Sequence, residues 1–110
     1  MSSLDREAAR LLQGLGEIYQ RCGQSQKALV MFLLASQMVP NDASLLRNLV
    51  IAFTAQGDGE RALRAIEQMV TLEGESSAVW LLRSRACWHA GRPDEARDSF
   101  KRYLQERQRA

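Results

Sequence analysis

Residues 11–40 read LLQGLGEIYQRCGQSQKALVMFLLASQMVP. Two small residues in this stretch, Gly23 and Ala28, recur 34 positions later as Gly57 and Ala62, and again as Gly91 and Ala96. A fixed period of that length marks stacked helix-turn-helix units, each burying its apolar face against the next. Cut on this ladder, the chain divides into units 9–42, 43–76 and 77–110 without a gap. The reading is a single all-α domain, a right-handed α-solenoid of six helices near 5–22, 25–39, 43–56, 59–72, 76–90 and 93–107.

The identities at the repeated places have physical reasons. A small residue at Gly16 lets the second helix of its unit approach the first. Glycine at 23, 57 and 91 ends the first helix of each unit, where a left-handed cap is free of strain without a Cβ. Alanine at 28, 62 and 96 stands where helices cross, and a larger side chain would part them. Pro40 stops the second helix, and Pro93 begins the sixth, where its missing N–H is not needed. Asp42 and Ser76 are expected N-caps. With Leu12, Leu15, Tyr19, Phe32 and Ala35, these residues resemble the tetratricopeptide repeat pattern in unit one. The resemblance continues through Leu46, Leu49, Phe53 and Ile66 in unit two and fades in unit three.

The chain has 110 residues, 45% of them hydrophobic and 25% charged, as in an ordinary globular domain. The polar start MSSLDREAAR and the lack of an 18-residue apolar run predict neither a secretory leader nor membrane insertion, hence a cytoplasmic protein. Cys22 and Cys87 stand apart with no metal-ligand spacing and are expected to be buried free thiols. Net charge is +2. Residues 1–79 carry seven basic and nine acidic side chains, and residues 80–110 carry eight and four. That basic end can steer an acidic partner but is too dilute for nucleic acid.

Nothing reads as an active site, so the expectation is a non-enzyme without cofactor or metal. His89 has no nucleophile or second ligand near it in sequence. Gly14-Leu15-Gly16 lies inside a helix with no strand before it, and Asp94 and Glu95 suit a first helical turn. A binding role directs attention to surfaces. The inner, concave face of the stack is expected to carry Arg10, Gln13, Glu17 and Gln20 from unit one, then Arg47, Ile51 and Thr54, then Leu81, Arg85 and Trp88. Trp88 is either the anchor of this groove or core between helices. Co-chaperones of this repeat class grip acidic C-termini with lysine, asparagine and arginine; here only Asn48 matches, and Glu17 opposes a carboxylate. A second surface comes from ALVMFLLA, residues 28–35. Val30, Leu33 and Leu34 fall outward, where unit two has Arg64, Glu67 and Gln68. Either the N-terminal segment folds over them or a protein partner (or a second copy) does.

The last third narrows the resemblance. Trp80-Leu81, Ser84-Arg85-Ala86, Gly91, Asp94, Ala96-Arg97, Phe100 and Tyr103-Leu104, with the GERA run at 59–62, resemble the YscY-type chaperones of type III secretion systems. The resemblance implies a small cytoplasmic three-repeat virulence protein. Such a protein forms a heterodimer with a secreted YscX-like partner and, with it, meets the cytosolic domain of an SctV-type export gate. It leaves Arg85 to pair with a partner carboxylate or with a neighbouring helix. Two alternatives remain: a translocator or needle-subunit chaperone, for which eight residues before unit one leave little room, and a general interaction scaffold.

Overall fold

The computed structural model describes residues 2–109; Ala110, the last residue of the expected third unit, lies outside them. It holds six helices: α1 (Ser3–Arg21), α2 (Ser25–Met38), α3 (Ala43–Ala55), α4 (Gly59–Glu73), α5 (Ser77–His89) and α6 (Pro93–Arg109). They pack as three antiparallel pairs stacked along a body of 42 × 26 × 20 Å. No strand occurs among the described residues, and the fold is the expected all-α solenoid.

The turn inside each pair is built the same way three times. Gly23, Gly57 and Gly91 have φ of 76°, 78° and 75°. The N–H three places past each helix reaches back to close the turn: Gln24 donates to the Tyr19 carbonyl at 2.9 Å, Asp58 to Phe53 at 2.8 Å and Arg92 to Cys87 at 2.9 Å. Paired with the bonds from the glycine N–H groups to Gln20, Thr54 and Trp88, this satisfies carbonyls that a helix end leaves orphaned. The starts of α1, α3, α4 and α5 are capped by side chains. Asp42, Asp58 and Ser76 accept from the N–H of Leu45, Arg61 and Val79 at 3.0–3.2 Å. Ser2 and Asp5 form a reciprocal box that carries α1 two residues further toward the N-terminus than its periodicity predicts.

Small residues set the spacing both within and between the pairs. A Cβ on Gly16 would fall 2.5 Å from the ring of Phe32, which is fully buried. Ala28, Ala35, Ala52, Ala62 and Ala86 are also sealed from solvent. The largest wholly buried side chains are Phe32, Ile66, Val50 and Cys87; the first three each contribute about 1.5–3 kcal/mol by removal from water. Gly59 begins α4 directly against the last turn of α5, where a Cβ would overlap the backbone of Ala86, His89 and Ala90. One expectation about cysteine fails. Cys87 is buried, but Cys22 is the C-cap residue of α1, where the chain leaves the helix, and is exposed.

Candidate functional site

The first helices of the three pairs, α1, α3 and α5, line one side of the stack. Two hollows lie along it. The first, about 390 Å³, is bounded by Glu17, Gln20, Arg47, Asn48 and Ile51. Two of its polar groups, Asn48 and Glu17, are engaged: the Gln13 side-chain amide donates to Ser44 Oγ at 2.9 Å and to Asn48 Oδ1 at 3.5 Å. Asn48 in turn donates to Glu17 Oε2 at 3.2 Å. The second hollow, about 250 Å³, is bounded by Ile51, Thr54, Leu82, Arg85 and His89. Thr54 spends its hydroxyl on the Val50 carbonyl, at 2.7 Å, so it offers the hollow chiefly its methyl group.

A third hollow adjoins the second through Arg85 and His89 and lies between α5 and α6. It is about 340 Å³ and is walled by Trp88, Ser84, Pro93, Ala96, Arg97 and Phe100. Trp88 is 67% exposed, so it is not core between helices. Its indole stands beside the groove with its polar N–H and apolar rings both open to a ligand.

Charge in this region is uneven by pairing as well as by count. Arg83 is held: it forks onto both Glu75 oxygens at 3.1 Å and lies 4.5 Å over the Trp80 ring, which Arg102 also approaches, at 5.2 Å. Arg92 is bound to Glu60 at 2.9 Å across the seam between the second and third pairs. Arg10, Arg47 and Arg85, by contrast, meet no carboxylate within 4 Å among the described residues. With Arg21, which also lines the first hollow and has no such ion pair among the described residues, the groove keeps four exposed guanidiniums for a partner. Its own carboxylate, Glu17, is occupied by Asn48.

The expected groove residues come together with two adjustments. Gln13, Glu17, Gln20, Arg47, Ile51, Thr54, Arg85 and Trp88 lie in or beside the hollows. Arg10 sits at the α1 end of the face, in a shallow cleft with Gln13 and Asp42. Leu81 is half-buried and lines none of these hollows, while Leu82 lines the second. His89 was passed over in the sequence because it lacks partners for catalysis. The signal that could have found it was its place one helical turn beyond Arg85.

On the outer side, Val30, Leu33 and Leu34 are each between one third and one half exposed. The N-terminal segment does not fold over them, since it continues α1 from Ser3. Burial pushes the Cys87 thiol above its ordinary pKa, and the Glu95 carboxylate adds to the effect. No helix among the described residues is long and apolar enough to cross a membrane.

A profile of the tetratricopeptide repeat family matches residues 47–110. A pentatricopeptide repeat-containing protein of Arabidopsis thaliana is 33% identical over 94 residues, 84% of this chain. The chain spans about a fifth of that relative's length (21%). Among solved structures, the second TPR of Spaghetti (RPAP3), bound to the HSP90 peptide SRMEEVD, superposes with a TM-score of 0.78. It is 20% identical, over 94% of this chain and 95% of that one. The MamA protein gives a TM-score of 0.77 at 21% identity, over 96% of this chain and 57% of that one. At such identities the likeness is one of fold.

Proposed function

Because the chain belongs to the tetratricopeptide repeat family, we propose that it is a protein-binding scaffold, and specifically a cytoplasmic chaperone of the YscY type in a type III secretion system. In this reading it captures a small secreted YscX-like protein, shields that partner's apolar segment until export, and presents the pair to the cytosolic domain of the export gate. The observation that carries the reading is Trp88, two-thirds exposed beside Arg85 and His89 within the stretch whose residues resemble that group. A large exposed indole flanked by a free guanidinium is the kind of anchor around which interface energy concentrates. The outer face of α2, with Val30, Leu33 and Leu34, supplies a second apolar contact for the same partner.

An acidic peptide such as the HSP90 peptide SRMEEVD bound in the Spaghetti structure is a poorer occupant. Asn48, the one matching clamp residue, is already bonded to Glu17, and an incoming carboxylate would face that side chain's negative charge. The test is co-expression with a YscX-like protein followed by titration calorimetry. Trp88→Ala should cost the complex at least tenfold in affinity, equal to about 1.4 kcal/mol, with helix content unchanged. Leu33→Glu together with Leu34→Glu should do likewise. Absence of a complex with the unmodified chain overturns the chaperone reading, and full affinity of Trp88→Ala overturns the anchor.

A further inference from the structure

The repeat ladder shows what closes the third hollow elsewhere in the molecule. Its α6 wall, Pro93, Ala96, Arg97 and Phe100, stands thirty-four residues after Gly59, Ala62, Leu63 and Ile66 of α4. There α5 packs against α4, its last turn resting on Gly59, and Ala62 and Ile66 are sealed from solvent. No helix packs in that way against α6 among the described residues, and Phe100 is 42% exposed. The hollow, about 340 Å³, is therefore the seat that a further helix would take in the stack.

Pro93 shapes how such a helix can sit. At the seam between the second and third pairs, Gly59 lets backbone meet backbone. The seam between the first and second pairs has Ser25 at this place. The proline ring is bulkier than either and holds a covering helix further out. Contact here must come from side chains that reach down into the hollow.

Charge says what kind of helix that is. The rim residues Arg85, His89 and Arg97 correspond to Ile51, Ala55 and Leu63 at the second seam, and to Glu17, Arg21 and Leu29 at the first. Only the end seat gathers three basic side chains, and none of the described residues lining it is acidic. Arg97 meets Asp94 at 3.7 Å, both of them well exposed. Arg85 meets no carboxylate within 4 Å among the described residues.

The helices of this chain do not answer that charge. In α1, Asp5, Glu7 and Glu17 are balanced by Arg6, Arg10 and Arg21. Of the six, α4 alone is richer in acid than in base, and it is already packed between α3 and α5. We infer that the end seat takes an acidic amphipathic helix of a bound protein, laid on α5 and α6. It sets an apolar side chain into the hollow beside Trp88 and Phe100 and a carboxylate on Arg85. The inference deepens the capture reading and rests on it. Glu17, which opposes a carboxylate in the first hollow, does not line this one.

The experiment is photo-crosslinking in the complex of the full chain with a co-expressed YscX-like protein. Phe100→p-benzoylphenylalanine puts the reactive group in the hollow. Trp88→p-benzoylphenylalanine repeats the test from a side chain that is 67% exposed, where folding is not at stake. Mass spectrometry should find both joined to one segment of the partner. That segment should carry apolar residues every three or four places and more Asp and Glu than Lys and Arg. Arg85→Glu should weaken the complex about tenfold and flatten its salt dependence, while Arg85→Lys keeps most of the affinity. Crosslinks to a neutral or basic segment, or to a second copy of this chain, overturn the inference, as does full affinity in Arg85→Glu. In each of those cases the complex still forms and the capture reading survives. No complex at all overturns both.

Discussion

Replacing Gly59 by alanine adds one methyl group at the narrowest point of the molecule. Elsewhere in a helix the change stabilises, by about 0.5–1 kcal/mol, because alanine loses less backbone freedom on folding. At Gly59 the methyl would overlap the Ala86 carbonyl oxygen and the Ala90 nitrogen and sit 2.7 Å from the His89 carbonyl carbon. All three are backbone atoms of a capped helix end, so no rotamer change relieves the overlap. Instead α4 and α5 must part by a few tenths of an ångström to an ångström, loosening Ala62, Ala65 and Ala86 along the same seam. Overpacking of this kind costs about 1–3 kcal/mol. Set against the helix gain, the net is a loss of about 1–2 kcal/mol, or roughly 4–8 °C in melting temperature for a chain of this size. The assay is thermal and urea unfolding followed by circular dichroism, with Gly14→Ala as the comparison, since a methyl there meets nothing. Gly14→Ala should melt above wild type and Gly59→Ala below it. A Gly59→Ala protein as stable as wild type would refute the claim that this contact sets the spacing of the second and third pairs.

Gly57→Ala should lose about 1–2 kcal/mol in the same measurement, because φ of 78° is a left-handed conformation that a Cβ strains. Asp42→Ala should cost about 1 kcal/mol by leaving the Leu45 N–H without its cap. With a thiol reagent at neutral pH, Cys22 should react readily in the folded protein while Cys87 waits for unfolding. Because burial raises the Cys87 pKa in the folded state alone, the unfolded chain gives up this proton first. Stability should therefore decline as pH rises past the ordinary thiol range, and Cys87→Ala should flatten that decline.

The helices and their turns were legible because they obey local rules: a glycine at φ near 75° ends a helix and an aspartate or serine starts one, whatever lies across the molecule. The faces were legible to within about one residue's rotation. Leu81 was expected in the groove and Leu82 lies there, a difference of about 100° around the helix that is decided by how α5 crosses α3. Cys22 was misread because a residue just past a helix end does not follow the helix's own periodicity. Gly59 was visible only as part of GERA, since its importance depends on the backbone of α5, thirty residues away. The open stripe on α1 needed the structure too. Leu11, Leu15 and Ile18 look like core residues in sequence, and only their exposure shows that nothing among the described residues covers them.

Every helix touches only the next along the chain or the next but one. No contact therefore waits on the meeting of distant chain ends, and a low contact order of this kind favours folding in microseconds to milliseconds. The same topology makes stability a matter of neighbours. The outer helices α1, α2 and α6 each lack a companion on one side, so they should open first, and their amides should exchange with solvent sooner than those of α3 and α4. A ligand seated on Trp88 and Arg85 would then tie down α5 and α6, slowing exchange at one end of the molecule while the other continues to fray.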